Sequence, residues 1–159
     1  QGVCTDNRDL GEGETMIRRD VVLIILAAAQ GRAYAPVQLQ KAAFLVTRNI
    51  PHLVDDGPKF EFVPYDYGPF DPSVYWEAEK LRDAGRAIIM LVPNGRWKTY
   101  AASELGISRG QEILDGLTRG VKDYVVAVSR WVLSQSFGEL VKSIYEAYPE
   151  MRANSVFQA

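Results

Sequence analysis

Among residues able to do proton or metal chemistry, His52 comes first: it is the only histidine, and IPHLVDDGP sets Asp55 and Asp56 close behind it. An imidazole beside a carboxylate can act as a general base or hold a cation, but only where a fold brings the two side chains together. Adjacent acids in a loop are ordinary surface residues. Cys4 is the single thiol, so it forms no internal disulfide, and it lies in a lead sequence with little that could build a core. No Ser/His/Asp order, phosphate-binding loop, paired-carboxylate motif or zinc-spaced Cys/His cluster accompanies them. A small hydrolase or nuclease-like enzyme using His52 and nearby acids is therefore the reading ranked last. No catalytic residue, metal ligand or cofactor is assigned.

Two other constellations suit binding. Seven of the 17 aromatic residues fall between Phe60 and Trp76, around the corner VPYDYGPFDPSVYWEAEKL. They cannot all lie on one side of a strand-turn-helix unit. The bland reading makes Phe60, Phe62 and Phe70 core, Gly68-Pro69 the turn, and Asp66 the acceptor in an Asx-turn. The functional reading sets Tyr65, Tyr67 and Trp76, with Asp66 at the bend, in a solvent-facing groove for a protein partner. Tyr and Trp combine large apolar area with a polar handle and dominate binding hot spots.

The second constellation is basic: Arg96, Trp97 and Lys98 follow a turn, Arg86 lies near the start of the opposite strand, and Lys41 and Arg82 could extend the patch. Such a set could bind phosphates and stack a base. The overall charge opposes it, because 18 basic side chains face 20 acidic ones, for a net −2. The helix after the corner also carries Asp71, Glu77, Glu79 and Asp83 against Lys80 and Arg82, poor electrostatics for approach to phosphate.

These groups must be positioned by one domain, since 159 residues and 47% apolar content suit a single hydrophobic core. Residues 1–15 read as a disordered lead or added residues. A helix is predicted over Ile17–Gln30, apolar all round from Val21 to Ala29 and hence deep in the core, with Gly31 as its stop. That run is far short of the ~20 residues that cross a bilayer, and a cytoplasmic location is expected. Pro36 opens a second helix, with Leu39, Ala43, Val46 and Ile50 on its core face and Gln38, Lys41 and Arg48 on its solvent face. Lys59–Pro64 alternates as a short strand. Asp71 caps a third helix starting at Pro72, which Gly85 ends. Asn94-Gly95 is suited to a tight hairpin turn between Ala87–Val92 and Arg96–Ala101. Helices follow from Ile107 to Leu117, around Val121–Val132, and from the Ser136-x-x-Glu139 capping box to Pro149.

Helix, helix, strand, helix, hairpin is the element order of a winged-helix domain. The expected fold is thus α+β, mainly helical: a winged-helix-like core over residues 16–105 and a helical extension, 106–159, packed on the same domain. Tyr124, Trp131, Tyr145 and Tyr148 in the extension suit packing back on the first helix, with homodimerisation as the alternative use. LQKAAFLV (39–46), PYDYGPFDPSVY (64–75) and SFGELVKSIYEAYPEMRANSVF (136–157) resemble segments of the YwgA-like family of small prokaryotic proteins. The Leu-Gln-Lys helix followed by a Tyr-Gly-Pro corner is similar, more distantly, to the Panacea-domain (SocA-like) antitoxins. The resemblance implies a fold and a binding role, without catalytic residues. The expectation is a non-catalytic module, regulator or antitoxin-like, that engages a protein, and secondarily DNA, through the corner and the wing; a winged-helix transcriptional regulator is the alternative.

Overall fold

The computed structural model describes residues 15–157; the lead sequence with Cys4 lies outside them. Its first helix, α1 (Arg18–Ala28), contains an unbroken buried run from Val21 to Ala27, so the apolar stretch does form the centre of the core. The Asp20 carboxylate accepts from the backbone N–H of Ile17 at 3.0 Å and secures the entrance. The exit turns through two left-handed residues, Gln30 and Gly31. Tyr34, in the following loop, is fully buried: its hydroxyl donates to the Ile25 carbonyl and pairs with the Ser129 hydroxyl, both at 2.6 Å.

Helix α2 (Pro36–Asn49) begins at the predicted proline, and the Gln38 side chain accepts from the Ala35 N–H at 2.8 Å. Its middle is enclosed on all sides, with eight consecutive buried residues from Leu39 to Val46. Lys41 is one of them, so the predicted solvent face is not solvated there. The segment expected as a strand over Lys59–Pro64 carries no regular structure until Val63. There β1 (Val63–Tyr65) pairs antiparallel with β2 (Gly68–Phe70), in the register Val63 with Phe70 and Tyr65 with Gly68. The bend falls at Asp66-Tyr67, and Gly68-Pro69 belongs to the second strand rather than to the turn. The Asp66 carboxylate makes no Asx-turn hydrogen bond among the described residues; it is the Asp66 carbonyl that is used, accepting from the Val156 N–H at 2.9 Å and the Ser155 hydroxyl at 3.3 Å.

Helix α3 (Ser73–Asp83) starts one residue beyond the predicted proline, and Asp71 does the capping: its carboxylate accepts from the N–H and hydroxyl of Ser73 at 2.9 and 2.7 Å and from the Glu61 N–H at 2.6 Å. The hairpin expected as a wing forms as β3 (Ala87–Leu91) paired antiparallel with β4 (Lys98–Ala102), from Ala87 opposite Ala102 to Leu91 opposite Lys98. Its connection is longer than a two-residue turn. The Val92 N–H donates to the Trp97 carbonyl and the Gly95 N–H to the Val92 carbonyl, so only Gly95 adopts positive φ. Tyr34 and Tyr100 exchange both backbone hydrogen bonds, tying the wing to the end of α1.

Three helices complete the domain: α4 (Glu104–Gly116), α5 (Arg119–Ser134) and α6 (Phe137–Ala147), followed by a 3-10 turn over Pro149–Arg152. The Ser136 capping box is present in both directions, with the Glu139 N–H donating to the Ser136 hydroxyl and the Ser136 N–H to the Glu139 carboxylate. Helix α4 lies close against α1 because Gly110 has no side chain: a Cβ there would stand 2.3 Å from the Ala27 Cβ. Helix α5 packs on α1 and α2, burying Val125, Val128, Ser129 and Val132. The described chain is mainly helical α+β, with six helices and two small antiparallel hairpins.

Candidate functional site

The hairpin β1–β2 lies against α2 and the first turn of α6, and the wing loop brings Trp97 toward the same place. Between them runs a groove of about 670 Å³, walled by Ala35–Gln38 of the α2 entrance, Tyr65–Phe70, Tyr75 of α3, Trp97, and Phe137 with Leu140 of α6. That volume lies within the ~300–1,000 Å³ of small-molecule and side-chain binding sites, and the lining is mostly apolar, as such sites are.

Two chains of touching rings form the walls. Tyr65 stacks on Phe70 with centroids 4.8 Å apart, Phe70 meets Tyr75 at 6.1 Å, and Tyr75 stacks on Tyr100 at 5.5 Å. On the other side Tyr67 meets Phe137 edge-on at 5.0 Å, and Phe137 meets Phe157 at 6.1 Å. Tyr65, Tyr67 and Trp97 remain 50%, 43% and 47% exposed, which is unusual for rings already partly packed and leaves apolar area for a ligand. Burial raises the Tyr75 hydroxyl to about 12, keeping it neutral, and it donates weakly to the Pro36 carbonyl at 3.4 Å.

Lys41 opens into this groove. The residue is 1% exposed, and among the described residues its amine has no hydrogen bond or ion pair. Gly68 covers it with bare backbone: a Cβ on Gly68 would stand 3.3 Å from Lys41 Nζ and 3.5 Å from Tyr145 Cε1, and Gly68 itself sits at φ +110°. Desolvation disfavours the ammonium and lowers its pKa to about 7. The Tyr145 hydroxyl nearby is also buried without a partner. The buried carboxylates, by contrast, are compensated. Glu77 accepts from Arg18 Nε at 2.7 Å and from Arg19 Nε at 2.8 Å, and Asp71 takes three donors.

The sequence-predicted partner set is therefore brought together only in part. Tyr65, Asp66 and Tyr67 line the groove, whereas Trp76, 53% exposed on α3, does not. Trp97, expected in the nucleic-acid set, joins the aromatic site instead. Within that basic set Lys41 is a correction: buried under Gly68, it contributes nothing to a surface patch. Arg96 and Lys98 are exposed on the wing; Arg82 is exposed and bonded to its neighbour Asp83 at 3.2 Å, and Arg86 is half-buried with its Nε unpartnered. Glu77 no longer counts among the acids facing solvent on α3. His52 is exposed, while Asp55 is occupied in fastening the chain: its carboxylate accepts from the Met16 N–H at 2.7 Å. No group of three or more His, Cys, Asp or Glu residues with metal-binding geometry occurs among the described residues.

Pro36, Val37, Gly68 and Phe137 were not anticipated as site residues, and Lys41 was anticipated only as part of a basic surface patch. One signal was present for Lys41, because AAFLV directly after it leaves α2 no polar side over more than a turn, the mark of an enclosed helix. No family model, no curated protein and no solved structure matches the chain. No helix among the described residues is long and apolar enough to cross a membrane.

Proposed function

We propose that this chain is a non-catalytic binding module, regulator or antitoxin-like, which captures a segment of a protein partner in the groove between α2, the β1–β2 hairpin and the wing. The single observation that carries this reading is the set of three half-exposed rings, Tyr65, Tyr67 and Trp97, around an apolar trough. Tyr65, stacked on Phe70, and Tyr67, edge-on to Phe137, are held by neighbours and still wet, so part of their ordering cost is met before a partner arrives. The element order, with α3 ahead of a two-stranded wing, supports a winged-helix-like description, and the Leu-Gln-Lys and Tyr-Gly-Pro segments support kinship with the YwgA-like and Panacea-domain proteins. A cytoplasmic setting fits the same reading.

DNA is the second partner class, favoured by exposed Arg96 and Lys98 on the wing. It is the weaker one, because Lys41 is withdrawn from the patch. The test is affinity capture from native cytoplasm with the intact chain, Tyr67→Ala, Trp97→Ala and Arg96→Ala/Lys98→Ala as baits. The groove reading expects a protein retained by the intact bait and the wing double variant and lost from the two ring variants. Equal recovery by all four would refute it, and loss of nucleic acid from the double variant alone would transfer the function to DNA.

A further inference from the structure

A buried amine without a partner is a costly feature, and here it faces the floor of a groove rather than a closed core. The first turns of α2 (14 residues) and α6 (11 residues) both border that groove, so the positive ends of two helix dipoles lie beside it. Cationic potential from three sources thus meets one apolar trough. Asp66 is the single acid on its rim, and it makes no ion pair with Lys41.

We propose that the groove recognises a carboxylate carried on an apolar stem, with the Lys41 ammonium as its counter-charge and the ring walls receiving the stem. This deepens the binding-module reading and rests on it: the occupant is a partner-protein segment in which an acidic side chain neighbours an aromatic or aliphatic one. A peptide segment is favoured over a free metabolite because Tyr65, Tyr67 and Trp97 each leave about half their surface open around the groove, apolar area for more than one small acid to cover.

Arrival of the anion pulls a proton onto Lys41, so binding is coupled to proton uptake. The other titratable groups around the amine are Asp66, Tyr65 and Tyr67 from the hairpin, Tyr75 from α3, Tyr145 from α6, and Arg152, whose guanidinium lies over the Tyr145 ring at 5.3 Å. With the free amine near 7, carboxylate affinity should hold between pH 5.5 and 6.5 and fall about tenfold from pH 6 to pH 8.

The experiment is an NMR titration of the full chain with 4-phenylbutanoate and, separately, the uncharged 4-phenylbutanamide, each to ~10 mM, within reach of a fragment this size. Expected are amide shifts at Gly68, Phe70 and Phe137, affinity for the acid at least ~10-fold above that for the amide at pH 6, and loss of that preference at pH 9. Lys41→Met should bind acid and amide alike, without pH dependence. Equal affinity of acid and amide for the intact chain overturns the counter-charge while leaving the groove reading intact. Shifts elsewhere, or none with either probe, overturn the recognition of a carboxylate on an apolar stem, and affinity capture then decides the groove reading separately. An acetylated, amidated Ala-Phe-Glu-Leu-Ala peptide should bind more tightly than the free acid. A free acid that binds as tightly as the peptide overturns the assignment to a partner segment.

Discussion

Replacing Lys41 by Met keeps the length and most of the volume of the buried stem and deletes the amine. Burial lowers the folded pKa from 10.5 to about 7, while the unfolded chain keeps the ordinary value. The folded state therefore binds fewer protons than the unfolded state between those values, and ∂ΔG/∂pH of unfolding is positive there. Below pH 7 the cost of protonating the buried amine is fully present, and it is relieved as pH rises toward 10.5. Linkage sets that cost at about 4 kcal/mol at pH 7 and about 2 kcal/mol at pH 9. The methionine variant carries none of it, so at pH 7 it should be the more stable protein, by as much as that figure less whatever imperfect packing removes. Packing is indifferent to pH, so the decisive quantity is the change in the gap, an advantage that shrinks by about 2 kcal/mol from pH 7 to pH 9. Urea unfolding of both proteins, followed by the emission of Trp76, Trp97 and Trp131 across that range, measures it. Parallel stability curves would mean that the amine is hydrated or paired, and the counter-charge argument would lose its foundation.

Two further substitutions probe the scaffold that holds the groove. Gly110→Ala drives a methyl to 2.3 Å from the Ala27 Cβ and 3.2 Å from the Leu23 carbonyl, so α4 must move off α1. A loss of about 1–3 kcal/mol is expected, against at most ~1 kcal/mol gained in helix propensity. Gly120→Ala, with nothing within 4 Å of its added Cβ, should stabilise slightly, and thermal unfolding of both variants checks the opposite signs. Glu77→Gln leaves the guanidinium groups of Arg18 and Arg19 facing a neutral amide in a site where the Glu77 side chain is 7% exposed. Arg19, at 39%, can turn to water, so the expected loss is about 2–3 kcal/mol rather than the full cost of orphaning a buried pair. A loss below about 0.5 kcal/mol in urea would show that this ion pair behaves as a surface one.

Local rules carried the elements far. The proline at the start of α2, the Asp71 cap, the Ser136 capping box and the apolar run of α1 each specify their structure within a few residues, because the groups that satisfy one another are close in sequence. Where the partner is distant the reading failed. Lys41 was placed in solvent because a charged residue at a helix position opposite Leu39 and Val46 is ordinarily exposed. Its cover, Gly68, arrives from a hairpin 27 positions later. The same hairpin explains the turn misplaced at Gly68-Pro69. Gly68 takes positive φ inside a strand so that bare backbone can lie over the lysine, and the bend moves back to Asp66-Tyr67, where the Asp66 carbonyl is held by Ser155 and Val156. Trp97 was drawn with the basic residues beside it because alternation gives the side of a strand but not what stands opposite that side.

The treatment of buried charge across the molecule separates accident from design in the groove. Each buried carboxylate is compensated by short contacts from several donors, Glu77 by two guanidinium groups and Asp71 by two N–H groups and a hydroxyl. Among the described residues, the one acid that lines the same groove, Asp66, makes no ion pair with the amine. Lys41 is left alone, and a methionine would have filled the same space without the cost. An unpaired amine at the floor of an open apolar trough, beneath a glycine whose backbone conformation few other residues tolerate, is what a site for an external anion requires.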